Sequence, residues 1–304
     1  MRLKNKIAIV VGAGQSPGEG LGNGRATVLR FAQEGAKVLA VDNNLSSAEE
    51  TVALARQGGG ECVAFEADVT AESTLIAMID AARRRWGRID VLHYNVGVSI
   101  AGGDAPLDEI TEAAFDHIAT VNLRGAIMTC KHVLPLMRAQ RAGVIITISS
   151  VAAWERYPNV VYKATKAGMI AFTQQVATQN AEFGVRANVI LPGLIDTPMA
   201  VDTRARAAAK SRAEVAAARD ARVPLRRKMG TPWDVANAAQ PAPTPFWVSV
   251  ASIVWKIVGG LGRSVRGPAR FSHSRANHPV SGSRTDHRNL DAFVNVAALD
   301  KAFG

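Results

Sequence analysis

The sequence is short of cysteine, of long apolar runs and of acidic charge. Its two cysteines, Cys62 and Cys130, lie far apart and form no C-x-x-C pattern. That excludes a disulfide scaffold or a structural zinc site and suits a reducing, cytoplasmic setting. No run of about 18 apolar residues occurs, so no membrane span or membrane partner is expected. Residues 1–6 lack the apolar stretch and small-residue cleavage site of a signal peptide, and no targeting segment is expected there. His273, His278 and His287 match no metal-ligand spacing, and no metal is expected. Bases outnumber acids to give a net charge of +10, concentrated at residues 204–228 and beyond residue 263. Neither stretch has the aromatic interleaving of a single-strand binder or zinc-finger spacing, so the excess reads as basic surface and no nucleic acid partner is expected.

What is present is ordinary globular material, 48% hydrophobic and 20% charged over 304 residues, enough to bury a sizeable core. Apolar runs at residues 7–11, 37–41, 62–66, 90–94, 143–148 and 186–191 read as strands buried on both faces. Helical periodicity fills residues 25–34, 46–56, 71–86, 111–117 and onward, and 159–182, with Gly35 closing the first helix and Ser46 or Ser47 capping the second. Strands alternating with helices build βαβ units. Right-handed crossovers then give an α/β fold with a Rossmann-like, doubly wound parallel sheet. A single such domain is expected over residues 1–261, with an Ala/Arg-rich helical flap at residues 205–221. A basic, polar, poorly ordered tail is expected at residues 262–304.

Four groups of residues carry chemistry. Gly12, Gly14, Gly18, Gly20, Gly22 and Gly24 crowd the turn between the first strand and the first helix. Glycines there let backbone N–H groups approach a pyrophosphate at the positive end of a helix. Asp42 ends the second strand, where a carboxylate accepts both ribose hydroxyls of NAD and repels the 2′-phosphate of NADP; the bland alternative is a turn cap. Asp68-Val69 and Asn95-Val96-Gly97 follow the third and fourth strands on the same sheet edge. Last, Ser149-Ser150 ends the fifth strand, and Tyr162 and Lys166 stand one turn apart on the next helix. An ammonium beside a phenol favours the phenolate. Lowering a phenol from about 10 to about 7 takes roughly 4 kcal/mol, a task Lys166 would share with the positive charge of a nicotinamide. Tyr162 would then take a proton from an alcohol as hydride leaves for NAD, with Ser150 hydrogen-bonding the substrate oxygen.

In this order these residues resemble the short-chain dehydrogenase/reductase family over residues 4–239, together with Val121-Asn122, Pro192-Gly193 and Thr197. The resemblance implies an NAD-dependent alcohol dehydrogenase or ketoreductase. Its implied catalytic set is Tyr162 as acid/base, Lys166 as the group lowering its pKa and binding the nicotinamide ribose, Ser150 as polariser of the substrate oxygen, and Asn122, which bends its helix and holds a relay water. It also implies that Gly12, Gly22 and Gly24 are the three family glycines and that Asp42 selects NAD. Asp68 and Val69 would border the adenine and Asn95 the adenosine ribose. Gly97, Pro192, Ile195 and Thr197 would complete the cofactor site, the last two at the carboxamide. Substrate contacts are expected from Ser150, Tyr162, Trp154, Tyr157 and Leu194, joined by Val98, Ser99, Ala152 and the flap after Met199. Their mostly apolar character points to a hydrophobic alcohol or ketone as the small-molecule substrate. A homodimer or homotetramer is implied by analogy. The alternative is a non-catalytic NAD sensor of the same fold, against which the complete set Asn122, Ser150, Tyr162 and Lys166 argues.

Three departures from the family pattern stand out. The glycine turn is lengthened by residues 15–20, so Gly20 competes with Gly22 for the middle position. The usual Asn-Asn-Ala-Gly reads Tyr94-Asn95-Val96-Gly97. After Ala239 the pattern gives way to Gln240-Pro241-Ala242-Pro243-Thr244-Pro245-Phe246, whose prolines cannot continue a helix. Residues 253–258 nevertheless fall where the last strand is due. Either the reading frame shifts within residues 240–258 or the divergence is genuine.

Overall fold

Strand β1 (Ile7–Val11) is buried along its whole length, which requires cover on both faces of the sheet it belongs to. The computed structural model describes residues 1–241 and the backbone of residues 254–257; the expected tail at residues 262–304 lies outside them. Strands β2 (Lys37–Asp42), β3 (Glu61–Glu66), β4 (Val91–Tyr94), β5 (Gly143–Ile148), β6 (Val185–Pro192) and β7 (Val254–Ile257) join β1 in the order β3-β2-β1-β4-β5-β6-β7. Every pairing is parallel. Between the strands run helices α1 (Asn23–Gln33), α2 (Leu45–Gln57), α3 (Glu72–Trp86), α4 (Glu112–Ala119), α5 (Gly125–Ala139), α6 (Val160–Asn180), α7 (Asp202–Ala207), α8 (Arg212–Asp220) and α9 (Pro232–Ala238).

Alternation along the strands makes two cores. Ile9, Val11, Leu39, Val41, Leu92 and Tyr94 point to one, against Met78 of α3, Met137 of α5 and Met169 of α6. Ala8, Val10, Val38, Ala40 and Ile146 point to the other, against Phe31 of α1, Val52 of α2 and Val235 of α9. The strand order reverses between β1 and β4, and such a reversal opens a crevice at the carboxyl ends of the strands. Every candidate motif sits on that edge. No helix among the described residues is long and apolar enough to cross a membrane.

Several local expectations are revised. The cap of α2 is Asn44, whose side chain accepts from Ser47 N at 3.1 Å, rather than Ser46 or Ser47. The flap is two helices. Ala209 takes φ +50°, and Ser211 with Glu214 forms a capping box that starts α8 afresh. The helix after residue 111 is interrupted by a π turn at Thr120–Arg124, which carries Asn122, the residue from which the resemblance implies a bend. Beyond α9 the outcome matches the sequence: the helix stops at Ala238, and the strand due at residues 253–258 is β7, in register beside β6.

Candidate active site

The crevice holds a cleft of about 920 Å³. Its floor begins at the glycine turn. Gly12 takes φ +81°, a conformation side chains rarely adopt. A Cβ on Gly24 would overlap the Gly12 carbonyl oxygen, so α1 packs this close to β1 only because residue 24 is glycine. Gly22 caps α1 with no side-chain cap, and the first turn of α1 carries no acidic residue. Asn23 Oδ1 beside it is buried without a partner. An open helix N-terminus over a glycine cradle fits a pyrophosphate. Of the two competing glycines, Gly22 lines the cleft and Gly20 does not. Gln15 ties this segment together, accepting from Gly22 N at 3.0 Å and donating to Gly20 O at 3.2 Å. Only Gln15 and Ser16 of the extra segment line the cleft. The remainder leans on the flap: Glu19 N donates to Asp202 Oδ1 (3.1 Å), and Arg206 donates to Pro17 O (3.1 Å).

Asp42, Asp68, Val69, Asn95 and Gly97 all line the next stretch. Asp42 also does the turn work its alternative reading required, accepting from Gly14 N at 2.9 Å and Asn44 N at 3.0 Å. Asp68 accepts from Thr70 N and Oγ1, both at 2.8 Å. Asn95 donates to Gly12 O at 3.1 Å, locking β4 to the glycine turn. The two departures in this segment pack against their neighbours. Tyr94 is wholly buried and donates to Val121 O at 2.9 Å, and Val96 packs on Gly12.

At the far end the loop after β5 meets α6. Lys166 is 2% exposed, and its Nζ donates to Ile148 O at 2.9 Å. It stands 5.6 Å from the centre of the Tyr162 ring. Ser149 Oγ donates to Lys166 O at 2.6 Å, clamping helix to strand. The side chain of Asp104 accepts from Val161 N (3.0 Å) and Tyr162 N (3.3 Å), supplying the cap that Asn159 does not. Ser150 Oγ accepts from Ala152 N at 3.1 Å and faces the cleft. Asn122 lies behind the cleft wall, fully buried, bonded to both backbone groups of Val98 and to Thr165.

Burial pushes the Tyr162 phenol up to about 12, with Tyr157 adding to the rise, while Ser150 and Arg204 pull it down. Burial also pushes Lys166 down to about 8. In the protein alone, desolvation of the phenolate is the largest influence on Tyr162, and the Lys166 ammonium donates to the Ile148 carbonyl.

Pro192, Leu194, Ile195, Thr197 and Tyr157 line the remaining wall, with Val98, Ser99 and Ala152. Trp154 does not; it is 56% exposed outside the lining. Three further lining residues, Arg204, Arg219 and Arg222, read in the sequence as basic surface. Charge pattern alone carried no sign of their direction, because the break between α7 and α8 decides which way they face.

The chain matches the family model for short chain dehydrogenase over residues 6–208. It is 34% identical over 240 residues to the 3-oxoacyl-(acyl-carrier-protein) reductase of Thermotoga maritima, covering 78% of this chain and 89% of that one. Levodione reductase of Leifsonia aquatica is 34% identical over 201 residues, 65% of this chain and 72% of that protein. A crystal structure of levodione reductase superposes with a TM-score of 0.78 at 29% identity, covering 85% of this chain and 98% of that one. A 7α-hydroxysteroid dehydrogenase, solved with NADH and 7-oxo glycochenodeoxycholic acid, superposes at 0.73 with 31% identity, covering 85% and 95%.

Proposed function

Because the chain belongs to the short-chain dehydrogenase family, an oxidoreductase family acting on alcohol and ketone groups, we propose that it moves hydride between NAD and a secondary alcohol, with Tyr162 as the acid/base. The observation that carries this reading is convergence. Tyr162, Lys166 and Ser150 meet at one end of a cleft whose other end holds the open α1 terminus and Asp42. NAD, when bound, accepts or supplies the hydride. Asp42 favours NAD over NADP, since no cation at Asn43 or Asn44 would balance a 2′-phosphate. The solved neighbour carrying NADH supports the same choice.

Each residue then has one task. Gly22 and Gly24 leave room for backbone N–H groups at the pyrophosphate. Pro192, Ile195 and Thr197 border the nicotinamide end. The Ser150 hydroxyl donates to the substrate oxygen and holds it against the Tyr162 hydroxyl, which takes or returns the proton. A phenol pushed up to about 12 is a proton donor as it stands, ready for ketone reduction. For alcohol oxidation the phenolate must be stabilised, and Lys166, Arg204 and the charge of a bound nicotinamide are the cations in reach. Asn122 braces Val98 against Thr165 and keeps α6 in place. A homodimer or homotetramer through the helices carrying Asn122 and Tyr162 belongs to the same reading.

The test is a panel of secondary alcohols and ketones with NAD and NADP, followed at the nicotinamide absorbance. Turnover with NAD is expected, and Tyr162→Phe is expected to lose about 10³-fold in kcat while binding NAD as before. Binding of NAD with no turnover on any substrate would favour a sensor. Undiminished activity in Tyr162→Phe would refute the assignment.

A further inference from the structure

Cations crowd the flap end of the cleft without ion-pair partners of their own. Arg204, on α7, is held by Met199 O (3.4 Å), Ala200 O (3.1 Å) and the Tyr157 hydroxyl, to which its Nη2 donates at 3.3 Å. The Tyr157 ring lies 5.6 Å from the Tyr162 ring, so this guanidinium stands one aromatic side chain from the proposed acid/base. Arg219, on the last turn of α8, has its Nε buried with no partner. Arg222 follows and lines the same wall. Among the described residues none of the three is in an ion pair. Of the acids nearby, Asp196 and Asp202 are held by Arg212 at 2.7 Å and 3.3 Å, and Glu155 lines the same cleft.

We propose that the substrate carries a carboxylate, and that Arg219 and Arg222, backed by Arg204, receive it at the flap end of the cleft while the carbinol sits at Tyr162. This deepens the oxidoreductase reading and rests on it. Leaving a buried guanidinium donor unmatched is costly, and an incoming carboxylate removes that cost with paired N–H···O bonds. Burial first, and then the charges of Arg204 and Arg222, push Arg219 down to about 10. An anion among them relieves all three cations at once. The apolar lining from Val98, Ala152 and Leu194 then covers the carbon frame between the two polar ends, so the substrate is an amphipathic hydroxy acid or keto acid rather than a wholly hydrophobic alcohol.

The test compares matched pairs of unreactive ligands, cyclohexanecarboxylate with cyclohexanecarboxamide, benzoate with benzamide, and hexanoate with hexanamide. Their binding to the full chain, with and without NADH, is followed by calorimetry. In at least one pair the carboxylate is expected to bind at least tenfold tighter than the amide, with an advantage that shrinks as salt rises. In Arg219→Gln and in Arg222→Gln that ratio is expected to fall towards one, and Arg219→Lys is expected to recover part of it. Equal or weaker binding of every carboxylate in the unaltered protein overturns the proposal, whatever the variants do. Turnover of neutral alcohols with no carboxylate preference would overturn it and leave the oxidoreductase reading standing. A carboxylate preference without hydride transfer from any hydroxy acid or to any keto acid would do the reverse.

Discussion

His93 sits buried in the sheet without a hydrogen-bond partner. It lies on β4, wholly buried, with neither ring nitrogen bonded, edge-on to Phe31 at 6.1 Å. Burial drives its pKa from 6.5 down to about 3. Between those values the unfolded chain binds a proton that the folded chain refuses, so stability is lost as pH falls through that window. At pH 5 the cost is about 2 kcal/mol. His93→Leu is therefore expected to remove about 2 kcal/mol of the stability lost between pH 8 and pH 5, measured by urea unfolding at both values. An unchanged pH dependence would mean that His93 is protonated in the folded state. At this scale most of the site was legible beforehand. Gly12, Gly24, Asp42, Ser150, Tyr162 and Lys166 stand where their spacing indicated, because each occupies a strand end or the first turns of a helix. Trp154 was not legible, since apolar character in a loop does not say which way the side chain turns.

At the scale of elements, the flap and the long glycine turn hold one another. Gly18 packs directly on Asp202, Glu19 N donates to that carboxylate, and Arg212 reaches Glu19 at 3.8 Å. Asp202→Ala is expected to raise amide exchange over residues 15–20 by about tenfold, the loss of roughly one hydrogen bond to a charged group. No change would show that Gln15 and the Arg206–Pro17 bond order the turn without Asp202. The break between α7 and α8 followed from a Ser-x-x-Glu box that was in plain view at Ser211 and Glu214, yet alanine-rich periodicity masked it. The π turn at Asn122 had no sign in the helical periodicity, though the family resemblance implies a bend there; Tyr94 on β4 donates to the Val121 carbonyl within it.

At the scale of the whole molecule, the proposed cofactor binds across both sides of the strand-order reversal, and binding should hold the fold together. NAD at 100 times its Kd is expected to add about 2.7 kcal/mol to the unfolding free energy. NADP at the same concentration is expected to add less. A larger effect from NADP, read as a larger rise in thermal midpoint, would contradict the role given to Asp42.

The sequence alone determined the parallel sheet, its helices and the edge on which the candidate site lies. Alternating periods of two and 3.6, punctuated by glycine, are local properties of a chain. It also placed Tyr162 and Lys166 on one face, since one helical turn separates them. Tertiary structure decided the rest. Burial set the Tyr162 phenol upward and Lys166 downward, because desolvation depends on everything that surrounds a group. The packing of α7 and α8 turned Arg204, Arg219 and Arg222 into the cleft, because the direction of a surface charge is fixed only when its helix has a neighbour.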